Sequence, residues 1–351
     1  MARRLRALSF SGEGLTVPKF AKWTPLLLLS FSFAFGQRGA PAAPNPSDYS
    51  FAAGVEFLTQ ASSSWRKQRK CVTCHTNGWA LAAQPLISPE SAEVGVGRKF
   101  AQDYLMSYLT GEVKPRRRYG SVEGLVATTA FLALSDARMG SEVDPATRRG
   151  LDHAWAVLGD SGTWDNWLQC NWPPFESDTE YGPTLMLVAL GELRAEAKIT
   201  AADRRGASQL IAFLTANEPV SLHAKAMRLW VASHWPKAVT PQKRKTWLGE
   251  LLAARGQDGG WSMASLAGPG WLRDSGEPQV TTSEAYPTAF SVYVLLKTGM
   301  KRKHKVATSA LQWLRNSQRE DGSWHTRSPR RDRKHYISRT ATVFALMALS
   351  E

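Results

Sequence analysis

The chain has 351 residues, of which 43% are hydrophobic and 14 are tryptophan, a composition typical of a well-packed globular protein rather than a disordered one. Two of its three cysteines lie in one short motif, so a disulfide framework is not expected. The formal net charge of +14 is concentrated in short basic runs between apolar stretches, which are predicted to be solvated loops, and an electrostatic surface for an acidic protein partner or an anionic membrane face is the alternative: residues 116–118, 243–245, 301–305 and 330–334.

Residues 1–36 are predicted to be an export signal. Basic residues precede an apolar run at 25–35, which is shorter than the roughly 20 residues of a membrane span, and Ala34 and Gly36 supply small residues for cleavage. Residues 37–48, rich in Pro and Ala, are predicted to be a disordered spacer. We therefore expect a periplasmic or otherwise exported protein that does not bind nucleic acid. An uncleaved N-terminal anchor is the alternative, and peripheral contact with a membrane is compatible with either.

The motif C-V-T-C-H at residues 71–75 is the strongest chemical signal in the chain. Two thiols at this spacing can add to the two vinyl groups of a haem while the adjacent imidazole binds the iron. A C-x-x-C redox pair needs no following His, and a zinc site needs about two more ligands at short spacing, which the sequence lacks. The motif resembles the attachment motif of c-type cytochromes, which implies haem c bound covalently by Cys71 and Cys74, with His75 as the proximal iron ligand. Cys170 is then left without a disulfide partner.

Apolar residues recur at three- and four-residue spacing through most of the chain after the spacer, which predicts an all-helical protein. The predicted helices group as six antiparallel hairpins in a single domain over residues 49–351, and the first hairpin, at 51–90, carries the haem motif. The second helix of each hairpin is the more apolar one, as expected for an inner helix that is buried on all sides. The predicted helices are 51–66, 76–87, 98–110, 122–137, 146–158, 179–195, 202–215, 220–234, 241–254, 282–298, 304–317 and 336–350.

A turn motif recurs after the first helix of several hairpins, with copies that end in Trp164, Trp261 and Trp324 and a degenerate copy near Asn217. A repeat near 50 residues is typical of helical-hairpin arrays, which form either a closed ring or an open solenoid. The segments Q-x-x-G-W at 257–261 and Q-x-x-D-G-S-W at 318–324 resemble the Gln-Trp repeats of the squalene–hopene cyclase and prenyltransferase-type family. This resemblance covers most of residues 120–351 and implies an α/α toroid of about six helical hairpins, like that of terpenoid cyclases and prenyltransferases.

A closed ring would bring the last hairpin beside the first, so His325 is predicted to be the distal ligand of the haem iron. A five-coordinate haem, in which His325 only caps a turn, is the alternative. Since both His and Met serve as haem ligands, other side chains are further candidates: His335, His153, Met106 and Met139.

Acids near the starts of two inner helices are candidate catalytic residues: Asp178, Glu180 and Glu284. In the resembled cyclases a D-x-D-D-T-A motif at such a position supplies the proton that starts cyclisation. The sequence E-S-D-T-E at 176–180 matches that motif poorly, so full squalene-cyclase activity is not expected, and capping of the helix is the alternative role. The resembled protein prenyltransferases hold zinc with Asp, Cys and His; Asp178, Cys170 and His325 are the corresponding residue types, although their spacing does not favour a zinc site.

Three functions of different classes follow. The first is an exported c-type haem protein that carries electrons or senses a ligand, with an acidic redox protein as its partner, and it is favoured because the motif specifies chemistry without requiring a substrate. The second is a haem-dependent oxidoreductase or terpenoid cyclase-like enzyme that acts on an apolar small molecule in the toroid cavity. The third is a protein-interaction scaffold with a structural haem. The fold resemblance alone does not decide among them.

Overall fold

Outer and inner helices alternate along the chain in the computed structural model, which describes residues 49–112, 122–140, 142–164, 167, 172–195 and 198–351. The predicted export signal, the whole of the predicted spacer, the basic run at 116–118 and Cys170 lie outside the described residues. The described helices are α1 (Phe51–Arg69), α2 (Asn77–Ile87), α3 (Ala92–Leu109), α4 (Val122–Arg138), α5 (Pro145–Ala156), α6 (Tyr181–Ala195), α7 (Ala201–Ala216), α8 (Leu222–His234), α9 (Pro241–Ala253), α10 (Met263–Leu266), α11 (Ala285–Lys297), α12 (Lys305–Ser317) and α13 (Ile337–Ser350).

Six of these helices form a closed inner ring. Each of α2, α4, α6, α8, α11 and α13 packs against the next, and α13 packs against α2, which completes the circle. The remaining long helices, α1, α3, α5, α7, α9 and α12, pack around the outside of this ring. The predicted α/α toroid of six hairpins is therefore confirmed, and the contact between α13 and α2 excludes the open solenoid.

The sequence pattern of each helix matches its place in the ring. Every residue of α11 from 285 to 295 is buried, because this inner helix is covered on all sides. The outer helix α12 instead buries one stripe at three- and four-residue spacing: Val306, Ala307, Ala310, Leu311 and Leu314. This contrast between uniformly apolar and amphipathic helices is what allows the two layers to be recognised from sequence.

Most predicted helices agree with the structure to within three residues at each end, but α3 begins at Ala92 rather than at residue 98. Ser91 caps this helix by accepting a hydrogen bond from the backbone N–H of Glu93 at 3.3 Å. Two glycines obscured the start of the helix, since glycine is a poor helix former. Of these, Gly97 is buried, with the side chains of Gln84 and Arg66 close by. The short helix α10 and a 3-10 turn at Pro236–Ala238 were also not predicted.

The repeated turns share one local structure. In each turn a glycine with a positive φ of 80 to 95° reverses the chain: Gly162, Gly259 and Gly322. The tryptophan that follows is buried, and its indole N–H donates to a carbonyl in the last turns of the preceding outer helix at 2.7 to 2.9 Å: Trp164 to Ala154, Trp261 to Leu251 and Trp324 to Leu314. Each tryptophan therefore both fills the junction and satisfies a helix-end carbonyl.

In the fourth hairpin, where the turn motif is degenerate, a different residue bonds to the helix-end carbonyl. Arg228, on inner helix α8, donates to the carbonyl of Leu214 at 2.5 Å, the position in α7 that corresponds to the tryptophan-bonded carbonyls of the other outer helices. Its guanidinium also donates to the carbonyl of Asn217 at 2.7 Å and pairs with Glu180 at 2.8 Å. The buried arginine thus replaces the missing tryptophan N–H in this hairpin.

The ring is fastened where the last hairpin meets the first. The side chain of Gln318 accepts a hydrogen bond from the backbone N–H of Ser50 at 2.7 Å and donates to the carbonyl of the same residue at 2.8 Å. Gly54 on α1 lies directly against the rings and side chains of the last hairpin, including Trp324. The N-terminus of α1 is therefore bonded to a turn more than 260 residues later in the chain.

Aromatic side chains fill the axis of the toroid. Trp79 of α2 stacks with Trp230 of α8 at 5.8 Å between ring centroids, and Phe344 of α13 contacts Trp79 at 4.8 Å. Tyr293 and Phe290 of α11 add further edge contacts to Phe344. All five side chains are at most 1% exposed. The centre of the ring is therefore occupied by the protein's own aromatic side chains.

Some arginines of the described basic runs are engaged in local structure, whereas most lysines of these runs are exposed. Arg302 donates to the carbonyls of Ala348 and Leu349, the last turn of α13, at 3.0 and 2.8 Å. Arg330 and Arg331 both pair with Asp274. Among the described residues, no helix combines the length and apolar character needed to cross a membrane.

Candidate haem-attachment site

The C-V-T-C-H loop lies at one end of the ring, which we call the attachment rim. Because outer and inner helices alternate in direction, all six inner helices run the same way and begin at the same end. The loop joins outer helix α1 to inner helix α2, so it lies among these six helix starts. The loops that precede α6, α11 and α13 lie at the same rim.

Asn77 holds the attachment loop in shape. Its side-chain amide donates to the carbonyl of Cys71 at 3.1 Å and accepts from the backbone N–H of Thr73 at 3.1 Å. The backbone N–H of Gly78 donates to the carbonyl of Thr73 at 3.0 Å. A Cβ at Gly78 would overlap the ring of Phe131, so only glycine fits where the loop enters α2. Asn77 and Gly78, just after the motif, therefore fix the backbone of the loop that carries its thiols and imidazole.

The two motif thiols differ in exposure. Cys71 is half-buried, whereas Cys74 is 3% exposed and its carbonyl accepts a hydrogen bond from the hydroxyl of Thr340 on α13 at 3.4 Å. Burial raises the pKa of Tyr181 well above its usual value, and the negative charge of the Cys74 thiolate form would raise it further. Cys74 is thus enclosed by the fold near Tyr181 at the start of α6, while Cys71 lies nearer the solvent.

His75 lies in a cluster of aromatic rings from three parts of the chain. Its imidazole is 5.5 Å from Trp172, 5.6 Å from Tyr336 and 6.0 Å from Trp65, measured between ring centroids. The ring centroids of Trp172 and Tyr336 are 6.4 Å apart. They would be much farther from each other if the two rings covered opposite faces of the imidazole. Both therefore lie on one side of His75.

Several nitrogen atoms in this cluster are buried without a hydrogen-bond partner among the described residues: Nδ1 of His75, Nε1 of Trp65, Nε1 of Trp172 and Nη1 of Arg339. Guanidinium groups stack on the same rings. Arg339 lies 5.2 Å from the Trp65 centroid, and Arg330 lies 5.6 Å from that of Trp172. Unsatisfied buried polar atoms are unusual in folded proteins, so their concentration around His75 marks this loop as a candidate site.

Burial and the nearby Arg339 charge lower the pKa of His75 to about 4. The imidazole is therefore neutral at physiological pH, which is the form that binds a metal.

The donor set at the rim fits a covalently attached haem. Two thiols and a neutral imidazole are adjacent on a loop held by the fold, and unpartnered donors and arginines surround the imidazole. Within the described ranges no group of three or more His, Cys, Asp or Glu side chains is arranged to hold a metal ion, and Cys170, a member of the alternative zinc set, lies outside those ranges.

The structure brings only some of the candidate distal ligands near the rim. The ring of His325 lies 5.0 Å from that of His335, which directly precedes Tyr336 of the His75 cluster. Burial lowers the pKa of His325 to about 4, so it is also a neutral imidazole. His153 is exposed on α5 and Met106 is half-buried on α3. Met139 follows the C-terminus of α4 and therefore lies at the opposite end of the ring, which removes it as a ligand.

The three candidate catalytic acids have structural partners. Asp178 accepts hydrogen bonds from the backbone N–H groups of Glu180 and Tyr181 at 2.8 and 3.0 Å, as a cap of α6 does. Burial raises the pKa of Glu180 to about 7, and its ion pair with Arg228 opposes this rise. Glu284 accepts from the backbone N–H of Arg327 at 2.8 Å, and its other carboxyl oxygen is buried without a partner.

Sequence reasoning missed Trp65, Arg69 and Arg339 as parts of this site. Trp65 and Arg69 are four residues apart on the helix that leads into the motif, so they share a face with it. Arg69 donates to the hydroxyl of Tyr336 at 3.3 Å. Tyr336 and Arg339 belong to the last hairpin, and the predicted closure of the ring was the signal that could have placed them here.

Comparisons with known proteins support the fold. No family model matches the chain, and no curated protein matches it. Matching solved structures include a glycosyl hydrolase family 88 protein from Bacteroides vulgatus, with 8% identity and a TM-score of 0.53 over 86% of this chain and 99% of that one. A type II terpene cyclase from Scytonema matches with 11% identity and a TM-score of 0.51 over 88% and 98%, and a polysaccharide lyase with 11% and 0.51 over 86% and 97%. The chain thus has an α/α toroid fold that solved glycosidases, a lyase and a terpene cyclase also have.

Proposed function

We propose that this protein is an exported c-type haem protein whose iron transfers electrons. Cys71 and Cys74 form the thioether bonds and His75 is the proximal ligand. The observation that supports this most is the position of the motif, beside a cluster of unpartnered N–H groups and arginines at one rim of the toroid. A haem bound there supplies a one-electron Fe(II)/Fe(III) couple.

The residues around the motif have distinct roles in this proposal. Asn77 holds the backbone of the attachment loop, so the two thiols and the imidazole keep a fixed relation to one another. Trp172 and Tyr336 restrict the orientation of the His75 ring by stacking at one side of it. The indoles and arginines limit water access and provide positive charge near the iron, which are the means by which a protein tunes a haem potential.

Electron transfer is favoured over catalysis in the toroid cavity because the axis is filled. Trp79, Trp230 and Phe344 occupy the centre of the ring and are at most 1% exposed. A haem-dependent oxidoreductase or cyclase-like enzyme acting there would have to displace these side chains. The likeness to solved toroid enzymes supports the fold and carries no substrate to this chain.

The first test is a pyridine haemochrome assay on protein expressed with its export signal and with haem-maturation machinery. We expect one covalent haem per wild-type chain and none in the Cys71→Ala/Cys74→Ala double variant. A single Cys71→Ala change should leave one vinyl group intact and shift the haemochrome band to longer wavelength. The matched control is Cys170→Ala, which removes the remaining cysteine and should retain full covalent haem.

Two outcomes contradict the proposal. Matured wild-type protein without covalent haem would remove the haem function altogether. Equal covalent haem in wild type and in the double variant would show that other residues attach it. If haem is attached, an absorption spectrum then separates the roles: a low-spin, six-coordinate iron supports electron transfer, whereas a high-spin ferrous form supports ligand sensing or catalysis.

A further inference from the structure

A small cavity lies behind the attachment loop, between α1, α2 and α3. It gives the centre of a water molecule a space of about 10 Å³, which is room for one water and too little for a larger ligand. Each of the three helices and the loop itself contributes to its lining, through Ser62 and Arg66 of α1, Val72 of the loop, Gln84 of α2 and Gly97 of α3. The cavity therefore lies where the loop is supported by the outer layer of the toroid.

Gln84 brings a polar group without a partner to this cavity. The residue is 2% exposed, and its Nε2 has no hydrogen-bond partner among the described residues. Buried polar atoms are almost always paired in folded proteins. An amide N–H can only donate, so the group that satisfies it must accept a hydrogen bond.

The other polar side chains of the cavity suit a water molecule better than an ion. A Cβ built on Gly97 would lie 3.6 Å from Oε1 of Gln84 and 3.9 Å from Nη1 of Arg66, so both side chains reach the space beside Gly97. The charge of Arg66 is already balanced by its ion pair with Glu93, and an anion is not required. The buried hydroxyl of Ser62 can accept a hydrogen bond, which a water molecule can donate and a halide cannot.

We propose that this cavity is a binding site for one structural water molecule, which accepts a hydrogen bond from Nε2 of Gln84 and links α2 to α1. Buried waters with about three hydrogen bonds are a fixed part of a fold. Because Val72 lines the same cavity, the water supports the attachment loop from behind. The site is formed by the protein chain alone and does not depend on the proposed haem.

Alanine substitutions at two glycines of α3 test the site. Gly95 is exposed with open space at its Cβ position, whereas a methyl group at Gly97 makes only ordinary contacts and takes the space of the water. Replacing a helical glycine by alanine by itself favours folding about fivefold. Urea unfolding of the full-length protein should show this gain for Gly95→Ala. The folding constant of Gly97→Ala should fall about tenfold short of it, because expelling the water leaves the Gln84 N–H unsatisfied.

A Gln84→Met background separates the loss of the water from a steric cost. Methionine has nearly the length of glutamine and no N–H group, so Gly97→Ala should regain the gain of Gly95→Ala in that background. An equal gain at both glycines in the wild-type background would overturn the inference, since filling the cavity would then displace nothing. A loss at Gly97 that persists in the Gln84→Met background would also overturn it, because the added methyl group would then be the cause.

A crystal structure of the wild-type protein gives the direct observation. We expect one ordered water at about 2.7–3.2 Å from Nε2 of Gln84. The absence of density in the cavity would contradict the proposal. Crystals soaked in bromide should show no anomalous signal at this position, and an anomalous peak there would identify the occupant as a halide and overturn the assignment to water.

Discussion

The pKa of the Glu284 carboxyl group is under opposing influences in the folded protein. One oxygen accepts a hydrogen bond from the backbone N–H of Arg327, while the other is buried without a partner. Burial raises the pKa to about 7, although the charges of Arg327 and Arg273 oppose it. The folded protein therefore binds more protons at this site than the unfolded chain does between about pH 4.5 and pH 7.

This difference predicts that the wild-type stability falls as the pH rises through that range. The shift corresponds to a penalty on the order of 3 kcal/mol above pH 7, where the folded carboxyl must ionise. Glu284→Gln removes the titration and keeps an acceptor for Arg327, so its advantage over wild type should grow from pH 5 to pH 8. Urea unfolding at several pH values measures it, with exposed Glu320→Gln as control. Parallel stability curves for wild type and Glu284→Gln would refute the assignment.

The residue scale also shows which parts of the site are visible in a sequence. Cys71, Cys74 and His75 were predicted as haem-binding residues because their spacing carries a specific chemistry, and that role remains a prediction. Arg339 and Trp65 carry no such local signal. They are recognisable only once the fold shows that their nitrogen atoms are buried without acceptors.

At the scale of the helices, the repeated tryptophans and Arg228 all donate hydrogen bonds to carbonyls at the ends of outer helices, but their other partners differ. The indole of Trp261 satisfies one carbonyl, whereas Arg228 satisfies two carbonyls and pairs with the buried Glu180. Removing an arginine from a buried ion pair leaves an unpaired charge as well as unpaired carbonyls.

We therefore expect Arg228→Met to destabilise the fold by about 3–5 kcal/mol and Trp261→Phe by about 1–3 kcal/mol. Chemical denaturation of the two variants measures the difference. Trp313→Phe is the control, because the Trp313 N–H bond to Asp258 is exposed to solvent and its loss should cost little. A larger effect for Trp261→Phe than for Arg228→Met would mean that Arg228 does not fill the role of the missing tryptophan.

Helix positions were largely predictable because the period of the apolar residues and the turn motifs mark both layers of the toroid. The start of α3 was not, because Gly95 and Gly97 are poor helix formers that weaken the helical pattern in its first turns. The degenerate turn near Asn217 was identified, but its replacement by Arg228 was not. Arg228 lies on α8 and bonds to a carbonyl at the end of α7. A repeat pattern read within one segment does not show a contact between two helices.

At the scale of the whole molecule, the closure between the first and last hairpins is the contact that completes the ring. Gly322 adopts a φ of +80°, and a Cβ there would collide with the carbonyl oxygen of Ala53 on α1. Gly276 has a similar φ of +76° but faces open space. A side chain at Gly276 therefore adds only backbone strain, whereas a side chain at Gly322 adds the same strain and also displaces α1 from the last hairpin.

We expect Gly276→Ala to cost about 1–2 kcal/mol, the usual penalty for a left-handed backbone with a side chain. Gly322→Ala should cost more, since it adds the collision with α1. Hydrogen exchange of the α1 amides is the discriminating measurement and should become faster only in Gly322→Ala. Unchanged α1 protection in that variant would show that this turn does not secure the closure.

The closed toroid was predictable at this scale, because about six hairpins with buried inner helices suit a ring. The filled axis was not. Trp79, Trp230 and Phe344 come from three different helices. Nothing in their local sequence distinguishes an aromatic side chain that lines a cavity from one that fills it. Only the packed structure decides between these outcomes.

The burial of Cys74 has a consequence for the order of events during biogenesis. Cys74 is 3% exposed, and its backbone carbonyl accepts a hydrogen bond from Thr340 of the final helix, so docking of the last hairpin encloses this residue. Under the proposed chemistry, we expect thioether formation to come before the C-terminal helix docks. The maturation apparatus would then act on a chain that has not finished folding, and docking of the last hairpin would enclose the haem.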